Sequence, residues 1–401
     1  MYPNLRYAFY DIFGLDIPGL ALVQTYGFFL ALTFLACGVA LSLDLRRREK
    51  LGGLEGVEES KEVGKPLSLV DIFVNALLGF IFGFKGLYAV QHPDLFIGGD
   101  AKEYLFSMQH GSWIGGIALA ALFALSKYRE KKKELQLYPT PQTIQETIMP
   151  HQRVSDIIII AAISGIVGAK LLYMTEVSYS SWGAALRDFF SGSGLSVYGG
   201  FILAFFVVSY YIRSKKIPLN QMLDACAPAM ILGTGLGRLG CHFSGDGDWG
   251  DPNRYAKPFT WIPDWLWGYR YPNNVINSGG EGMQLDDCYY PDYFGDYCTI
   301  LKEPVFPTPI YELIICLVIF AVLWIIRHKV TFHGIVFTVY LILTGMERFL
   351  LEMIRVNDDY SVAGFSLSQA QYIALILFVI GVVMTIVLVG KQRKMQANDH
   401  P

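Results

Sequence analysis

Residues 233–250 read GTGLGRLGCHFSGDGDWG and set Arg238 at the end of an apolar run, directly before a loop of Gly, Asp, Cys and His. A guanidinium among apolar residues is expensive: at membrane depth it costs about 2.5–3.5 kcal/mol, so it faces a partner, a cavity or an anionic ligand, unless it snorkels to an interface. A second run, YLILTGMERFLLEMIRVNDD (340–359), carries Glu347, Arg348, Glu352 and Arg355. On a helix, Arg348, Glu352 and Arg355 fall at i, i+4 and i+7, share one face and can pair with each other. A third stretch, FPTPIYE (306–312), brings Tyr311 and Glu312 to the head of another apolar run. Arginine presents paired N–H donors in a fixed fork, so a cluster of Arg238 and Arg348 with Glu312 would suit a phosphate. A structural ion-pair network is the alternative use of the same residues. GLGRLG (235–240) formally fits GxGxxG, but an apolar helix precedes it and a polar loop follows, where a dinucleotide site needs a strand and then a helix.

The elements that must position these residues follow from composition. With 53% hydrophobic and only 17% charged residues, the chain lies well below the roughly 25% charged of a soluble domain, and it reads as an all-α polytopic membrane protein. Crossing the hydrocarbon as a helix takes about 20 mostly apolar residues. Nine stretches qualify, near 18–43, 69–90, 112–126, 155–174, 196–212, 221–239, 309–326, 334–354 and 367–390. Lys and Arg gather on alternate connections (Arg46 to Arg48, Lys131 to Lys133, Arg213 to Lys216, Arg327, Lys391 to Lys394), which sets the N-terminus outside and the C-terminus in the cytoplasm. The first 17 residues carry only Arg6, so span 1 is expected to be a retained helix rather than a cleaved signal peptide. The whole chain, 1–401, is expected to form one integral membrane domain. A net charge of −3 gives no reason to expect nucleic acid.

VDIFVNALLGFIFGFKGLY (70–88) aligns with SDIIIIAAISGIVGAKLLY (155–173), and SKYR (126–129) with SKKI (214–217), so 68–130 and 153–217 read as two parallel copies of one helical hairpin. In that alignment His110 of the first copy meets Tyr198 of the second. The segment 241–306 is expected to be a large extracytoplasmic loop, and it holds Trp249, Trp261, Trp265 and Trp267. Such residues favour the membrane interface, and the loop could cover the site or dock a protein acceptor. Cys288 and Cys298, in CYYPDYFGDYC, are a candidate disulfide. No CxxC pair or HExxH is present, so neither a metal nor a cofactor is expected.

These motifs together resemble the prolipoprotein diacylglyceryl transferases. GRLGCHFSGD (237–246) is similar to the family signature GRIGNFINGE, YGG (198–200) to its HGG, FPTPIYE to its HPSQLYE, and TGMERFLLEMIR (344–355) to its YGxxRFxxExxR helix. Tyr26 and Gly27 resemble a shorter YG element. The family usually has seven spans, so 68–130 reads as an added hairpin. The resemblance implies a multi-pass enzyme of the bacterial inner membrane. Its substrates would be phosphatidylglycerol, drawn from the membrane lipids, and the lipobox segment of a prolipoprotein, whose cysteine thiol would receive the diacylglyceryl group. On that template Arg238 and Arg348 hold the phosphate. Glu312, Glu352 and Tyr311 orient them, and Arg355 and Tyr26 make secondary contacts. Gly199, Gly200, Gly237, Gly240 and Cys241 line the substrate, with Asp246 as the signature's acid.

The departures fall on the proton-transfer groups. Tyr198 stands where the family has His, Cys241 where it has Asn, Phe306 where it has the His before Pro, and Thr344 where it has Tyr. A tyrosine donates a hydrogen bond but is a poor base, so His242 and His110 become the candidate bases. Two alternatives stay open: a phospholipid-binding relative with another acceptor or no catalysis, and a transporter.

Overall fold

The computed structural model describes residues 1–92, 110–179, 181–189, 196–276, 285–287, 297–330, 332–355, 359–362 and 365–398. It is mostly helical. In chain order the helices are α1 (Leu5–Phe13), α2 (Thr25–Lys50), α3 (Leu69–Gln91), α4 (Trp113–Leu137), α5 (Val154–Glu176), α6 (Trp182–Phe189), α7 (Val197–Ser214), α8 (Leu219–Ser244), α9 (Asp264–Trp267), α10 (Thr308–Ile326), α11 (Ile335–Leu351) and α12 (Gln369–Asn398).

Among the described residues, six segments are long and apolar enough to cross a membrane: Thr25–Lys50, Leu69–Gln91, Pro150–Glu176, Val197–Ser214, Thr308–Ile326 and Gln369–Lys394. The other three expected spans are helices too, but of different character. The second half of α4 reads SKYREKKKELQL, α8 carries Asp224, Arg238 and four glycines, and α11 is 17 residues long. The expected first span breaks in two: Pro18–Leu22 is a 3₁₀ turn, and the helix starts only at Thr25. The span expected at 334–354 also ends early, because Glu352–Ile354 is a 3₁₀ turn and Arg355 is extended, with φ −97° and ψ 146°.

Helix α8 is the central element and joins two cores. Its Met222 and Ala225 pack with Leu41 and Leu45 of α2, Ile157 of α5 and Ile212 of α7. Ala227 and Ile231, about one turn further along, pack with Cys316, Ile319 and Leu323 of α10 and Tyr340 and Leu341 of α11. At the far end from Arg238, the fully buried Asp44 accepts from Arg47 Nε (2.9 Å), Arg48 Nε (2.8 Å) and Arg327 Nη1 (2.9 Å). Asp224 accepts from the backbone N–H groups of Gly334 (2.7 Å) and Phe337 (2.9 Å). It thereby satisfies donors that the first turn of α11 leaves without intrahelical partners. These two carboxylates pin the ends of α2, α8, α10 and α11 together.

Two hairpins flank this centre, α3 with α4 and α5 with α7. In each, glycine lets backbone meet backbone, as close-packed membrane helices require. A Cβ on Gly83 would lie 2.1 Å from Gly115 O, and one on Gly168 would lie 2.3 Å from Gly199 O. The strands β1 (Val57–Val63) and β2 (Gln142–Ile148), on either side of the first hairpin, pair antiparallel from Val57↔Ile148 to Val63↔Gln142.

Between α8 and α10 the chain builds a small compact subdomain. Its core is Trp249, Tyr271, Leu301 and Val305, and short bridges join Pro252 and Tyr269 to Val305. The strand pairs β3 (Leu285–Asp287) with β4 (Thr299–Leu301) and β5 (Asp359–Val362) with β6 (Phe365–Ser368) complete the described architecture. Cys298 is disulfide-bonded, and Cys288, the expected partner, lies outside the described residues.

Candidate active site

Glu312, in the first turns of α10 and 2% exposed, is the centre around which three arginines gather. Arg238 comes from the last turns of α8, Arg348 from the end of α11, and Arg355 from the extended segment beyond it. Arg238 Nε lies 2.8 Å from Glu312 Oε1, and Arg348 Nη1 and Arg355 Nη1 each lie 3.7 Å from Glu312 Oε2. Glu352 approaches Arg348 Nη2 at 3.2 Å and Arg355 Nε at 4.0 Å, and it accepts from Ser368 Oγ at 2.9 Å. Asp248 closes the ring, with one carboxylate oxygen on Arg238 Nη1 and the other on Arg355 Nη2.

The local chain explains why these groups meet. A left-handed glycine at 245 (φ 66°, ψ 56°), whose N–H donates to Cys241 O at 3.0 Å, ends α8 and turns the chain back over its own end. Thr308 Oγ1 then donates to Asp248 O at 2.8 Å, tying the acid to the head of α10. Gly250 N–H donates to Phe306 O at 2.9 Å, and a Cβ on Gly250 would sit 2.3 Å from Ile354 O. Only glycine lets the strands carrying Asp248 and Arg355 approach this closely.

Ion pairs in a low-dielectric site recover their desolvation cost only with good geometry, and here the geometry is incomplete. Arg348 Nη1 and Arg355 Nη1 are buried and make no hydrogen bond among the described residues, although both face Glu312 Oε2. Two guanidinium N–H groups therefore converge on Glu312 Oε2, which also lacks a hydrogen bond among the described residues, so the arginines keep donor capacity beside a loosely held carboxylate. That is the arrangement an incoming oxyanion would complete.

The expected site residues separate into groups. Arg238, Arg348, Arg355, Glu312 and Glu352 form the cluster itself. Tyr198, near the head of α7, lies within electrostatic reach of Arg348, Glu352 and Arg355, and Tyr26 of α2 within reach of Arg238, Cys241 and Asp246. Cys241 Sγ is 3.9 Å from Arg238 Nη1 and bonds the Asp246 side chain. Burial raises the Asp246 carboxyl above the ordinary range, against the opposing pull of Cys241 and Arg238. Gly240 lets Tyr26 approach, since a Cβ there would lie 3.0 Å from the Tyr26 ring, whereas a Cβ on Gly237 would meet open space.

Others are engaged elsewhere. Gly199 and Gly200 face the backbone of Gly168 and Gly165, so their contacts are helix packing. Tyr311 OH donates to Leu266 O at 2.7 Å, away from the arginines. His242 is buried at the end of α8, with Nδ1 3.2 Å from Tyr271 OH and its ring edge-on to Phe243 and Tyr271. His110 sits on the α3–α4 hairpin, its ring 6.0 Å from Tyr88 and its carbonyl accepting from Lys85 Nζ at 2.6 Å. Neither histidine joins the arginine cluster among the described contacts. Arg348, Glu352 and Arg355 were expected on one helical face. The 3₁₀ turn at Glu352–Ile354 replaces that face, and it is what lets Arg355 reach Asp248. Asp248 and Ser368 are absent from the sequence-based set. An acid two residues beyond Asp246 was the available signal for the first, while Ser368 lies in no motif.

Against this geometry, the family model for prolipoprotein diacylglyceryl transferase matches residues 136–387. The chain belongs to that family. Relatives named phosphatidylglycerol–prolipoprotein diacylglyceryl transferase agree. One from Dehalococcoides mccartyi is 27% identical over 250 residues, 60% of this chain and 78% of its own. One from Corynebacterium glutamicum is 28% identical over 253 residues, 62% of this chain and 73% of its own. One from Xylella fastidiosa is 26% identical over 242 residues, 57% of this chain and 74% of its own. The family match contains every member of the arginine cluster and begins only at the end of α4. The α3–α4 hairpin precedes it.

Proposed function

We propose that this transferase moves the diacylglyceryl group of phosphatidylglycerol to the lipobox cysteine thiol of prolipoproteins, a reaction of lipoprotein biosynthesis. The observation that carries the reading is the convergence of Arg238, Arg348 and Arg355 on Glu312 with unsatisfied N–H donors on two of them. In the reaction a thiolate sulfur attacks the glycerol carbon, a C–S bond forms, and the C–O bond to phosphate breaks. Glycerol phosphate leaves with the electron pair. Arg238 and Arg348 hold the phosphate and stabilise the charge that grows on its oxygens, the role of preorganised donors in a water-poor site. A free thiol with a pKa near 8.5 is only a few per cent ionised at neutral pH, so a proton acceptor speeds the attack. Asp246, a carboxyl raised by burial beside Arg238, is the group suited to take that proton. Tyr198 donates a hydrogen bond to the bound headgroup, and Tyr26, Gly237, Gly240 and Cys241 line its approach.

The same reading places the enzyme in the inner membrane with nine spans, the N-terminus outside and the C-terminus in the cytoplasm. Support comes from α4, α8 and α11 being helices where the three less apolar spans were expected, and from the alternation of basic connections. The two hairpins stand as copies of one unit. In both, a GxxxG-type glycine contacts the partner helix, and Lys85 and Lys170, aligned in sequence, each reach a backbone carbonyl in the connection that follows.

The test is glycerol phosphate release from phosphatidylglycerol by purified enzyme with a lipobox peptide. Removing one such donor from a transition-state site costs about 10²–10³ in rate, and Arg238→Ala is expected to lose at least that. Tyr198→Phe is expected to be milder, and His242→Ala to keep thiol-dependent release. Phosphatidylglycerol binding without release would refute the transfer, and full activity in Arg238→Ala would refute the phosphate site.

A further inference from the structure

We infer that the segment Asn253–Trp267 is a membrane-contacting loop, whose aromatic tip enters the lipid interface beside the active site. The inference rests on α10 lying in a bilayer and not on the transferase chemistry. The segment is closed at its base. Asn253 Nδ2 donates to Trp267 O at 2.6 Å, and Trp267 Nε1 donates back to Tyr255 O at 2.9 Å. Chain ends held together in this way around a compact excursion define an Ω-loop. Inside it, Lys257 pairs with Asp264 and donates to Ile262 O at 3.3 Å, so the loop is braced across its width.

What the loop presents is unusual for a water-facing surface. Tyr255 is 74% exposed, Phe259 58%, Trp261 75% and Trp265 50%. Phe259 and Trp261 stack on each other at 5.8 Å and 21°, which holds the tip as one apolar wedge. Both charges between Tyr255 and Trp267 are spent on each other in the Lys257–Asp264 pair, and Arg254 at the margin pairs with Glu303 at 2.9 Å. A surface with large exposed rings and no uncompensated charge binds through apolar contact rather than through charge attraction.

Position selects lipid as the occupant. Tyr311 OH donates to Leu266 O at 2.7 Å, and the Trp267 ring meets Phe306 edge-on at 6.0 Å. The loop is therefore fixed to the first turn of α10, a candidate membrane helix whose Ile314 and Val318 are exposed along its outer face. Its apolar tip continues the membrane-facing surface of α10 at the depth where aromatic rings collect in membrane proteins. Because Tyr311 is one residue from Glu312, the contact would also hold the subdomain down over the arginine cluster.

The experiment uses the full-length protein reconstituted in vesicles of phosphatidylcholine, and in parallel in phosphatidylcholine with phosphatidylglycerol. Nitroxide labels are placed at Trp261→Cys, at Phe259→Cys, at Val318→Cys on α10, and at Lys61→Cys on the exposed face of β1. Labelling of the unsubstituted protein sets the background. Oxygen and a water-soluble nickel chelate then compete as relaxants. At both tip positions the ratio of oxygen to nickel accessibility is expected to exceed that at Lys61→Cys severalfold and to fall short of that at Val318→Cys, equally in the two lipids. Brominated lipid should quench the unsubstituted protein more than Trp261→Phe, a readout that needs no label. A tip that reads like Lys61→Cys while Val318→Cys reads deep overturns the inference and leaves the surface to a protein partner. If Val318→Cys also reads aqueous, the membrane placement of α10 falls with it. Tip immersion only where phosphatidylglycerol is present overturns the inference as well, since it would make the contact a headgroup subsite.

Discussion

Asp248 bridges Arg238 and Arg355 with its two carboxylate oxygens, much as two oxygens of a phosphate would. On the proposed reading it occupies donors that the substrate headgroup would use, and the headgroup would displace it. A hydrogen bond to a charged partner contributes about 1.5–3 kcal/mol, and Asp248→Asn is therefore expected to strengthen binding of a phosphate-bearing headgroup roughly tenfold or more. Calorimetry with glycerol phosphate checks this, and weaker binding would make Asp248 a scaffold for the arginines instead of their competitor. Asp246 makes a different prediction. Its folded carboxyl is raised above the unfolded value by burial, so its contribution to stability is full below the unfolded pKa and is lost as pH rises through the folded pKa. Asp246→Asn should thus melt above the unsubstituted protein at pH 7, by a margin that shrinks towards pH 4. A margin constant with pH would show that charge is not the cause.

At the scale of elements, the glycine seams are the parts least tolerant of change. Gly168 meets the carbonyl of Gly199 so closely that any Cβ must separate α5 from α7. Overpacking typically costs about 1–3 kcal/mol, and Gly168→Leu is expected to exceed that range because the obstacle is backbone. Tyr198, one residue before Gly199, would move with its helix, so transfer activity should fall together with thermal stability in detergent. Stability unchanged in Gly168→Leu would mean that the seam is loose. The helices themselves were legible in the sequence, since length and apolarity place a helix at every expected stretch. Their ends were not. The helical face expected for Arg348, Glu352 and Arg355 gave way to a 3₁₀ turn, a choice set by contacts with Asp251 and Gly250 far away in the chain. The arginines of the site were legible because a buried charge needs a reason. Asp248 was not, because an acid in a polar loop is commonplace until its partners are known, and neither was the burial of His242 beside Tyr269 and Tyr271, which depends on how the segment after α8 folds.

For the whole molecule, we propose that the α3–α4 hairpin is an addition to the family's fold, carried on the β1–β2 pair. The family match begins at residue 136, β1 and β2 pair at the hairpin's base, and the most extensive packing of its helices on another element is with the turn at Pro18–Leu22. Replacing 65–140 with a short turn that joins β1 to β2 is expected to leave a folded protein with transfer activity within a few-fold of the original. A collapse of expression, with no gain from phospholipid addition, would show that the hairpin is part of the core. The site has a further consequence in biogenesis. On the proposed nine-span topology, Arg238, Glu312 and Arg348 would enter the membrane on three helices, α8, α10 and α11, made at different times. Each charge alone carries an insertion cost of about 2.5–3.5 kcal/mol, and it is compensated only when its partners arrive. Arg238 would be matched first by Asp248 and then by Glu312, with Arg348 arriving last, so the cluster that would bind the lipid phosphate would be complete only once α11 is made and would register that late stage of synthesis.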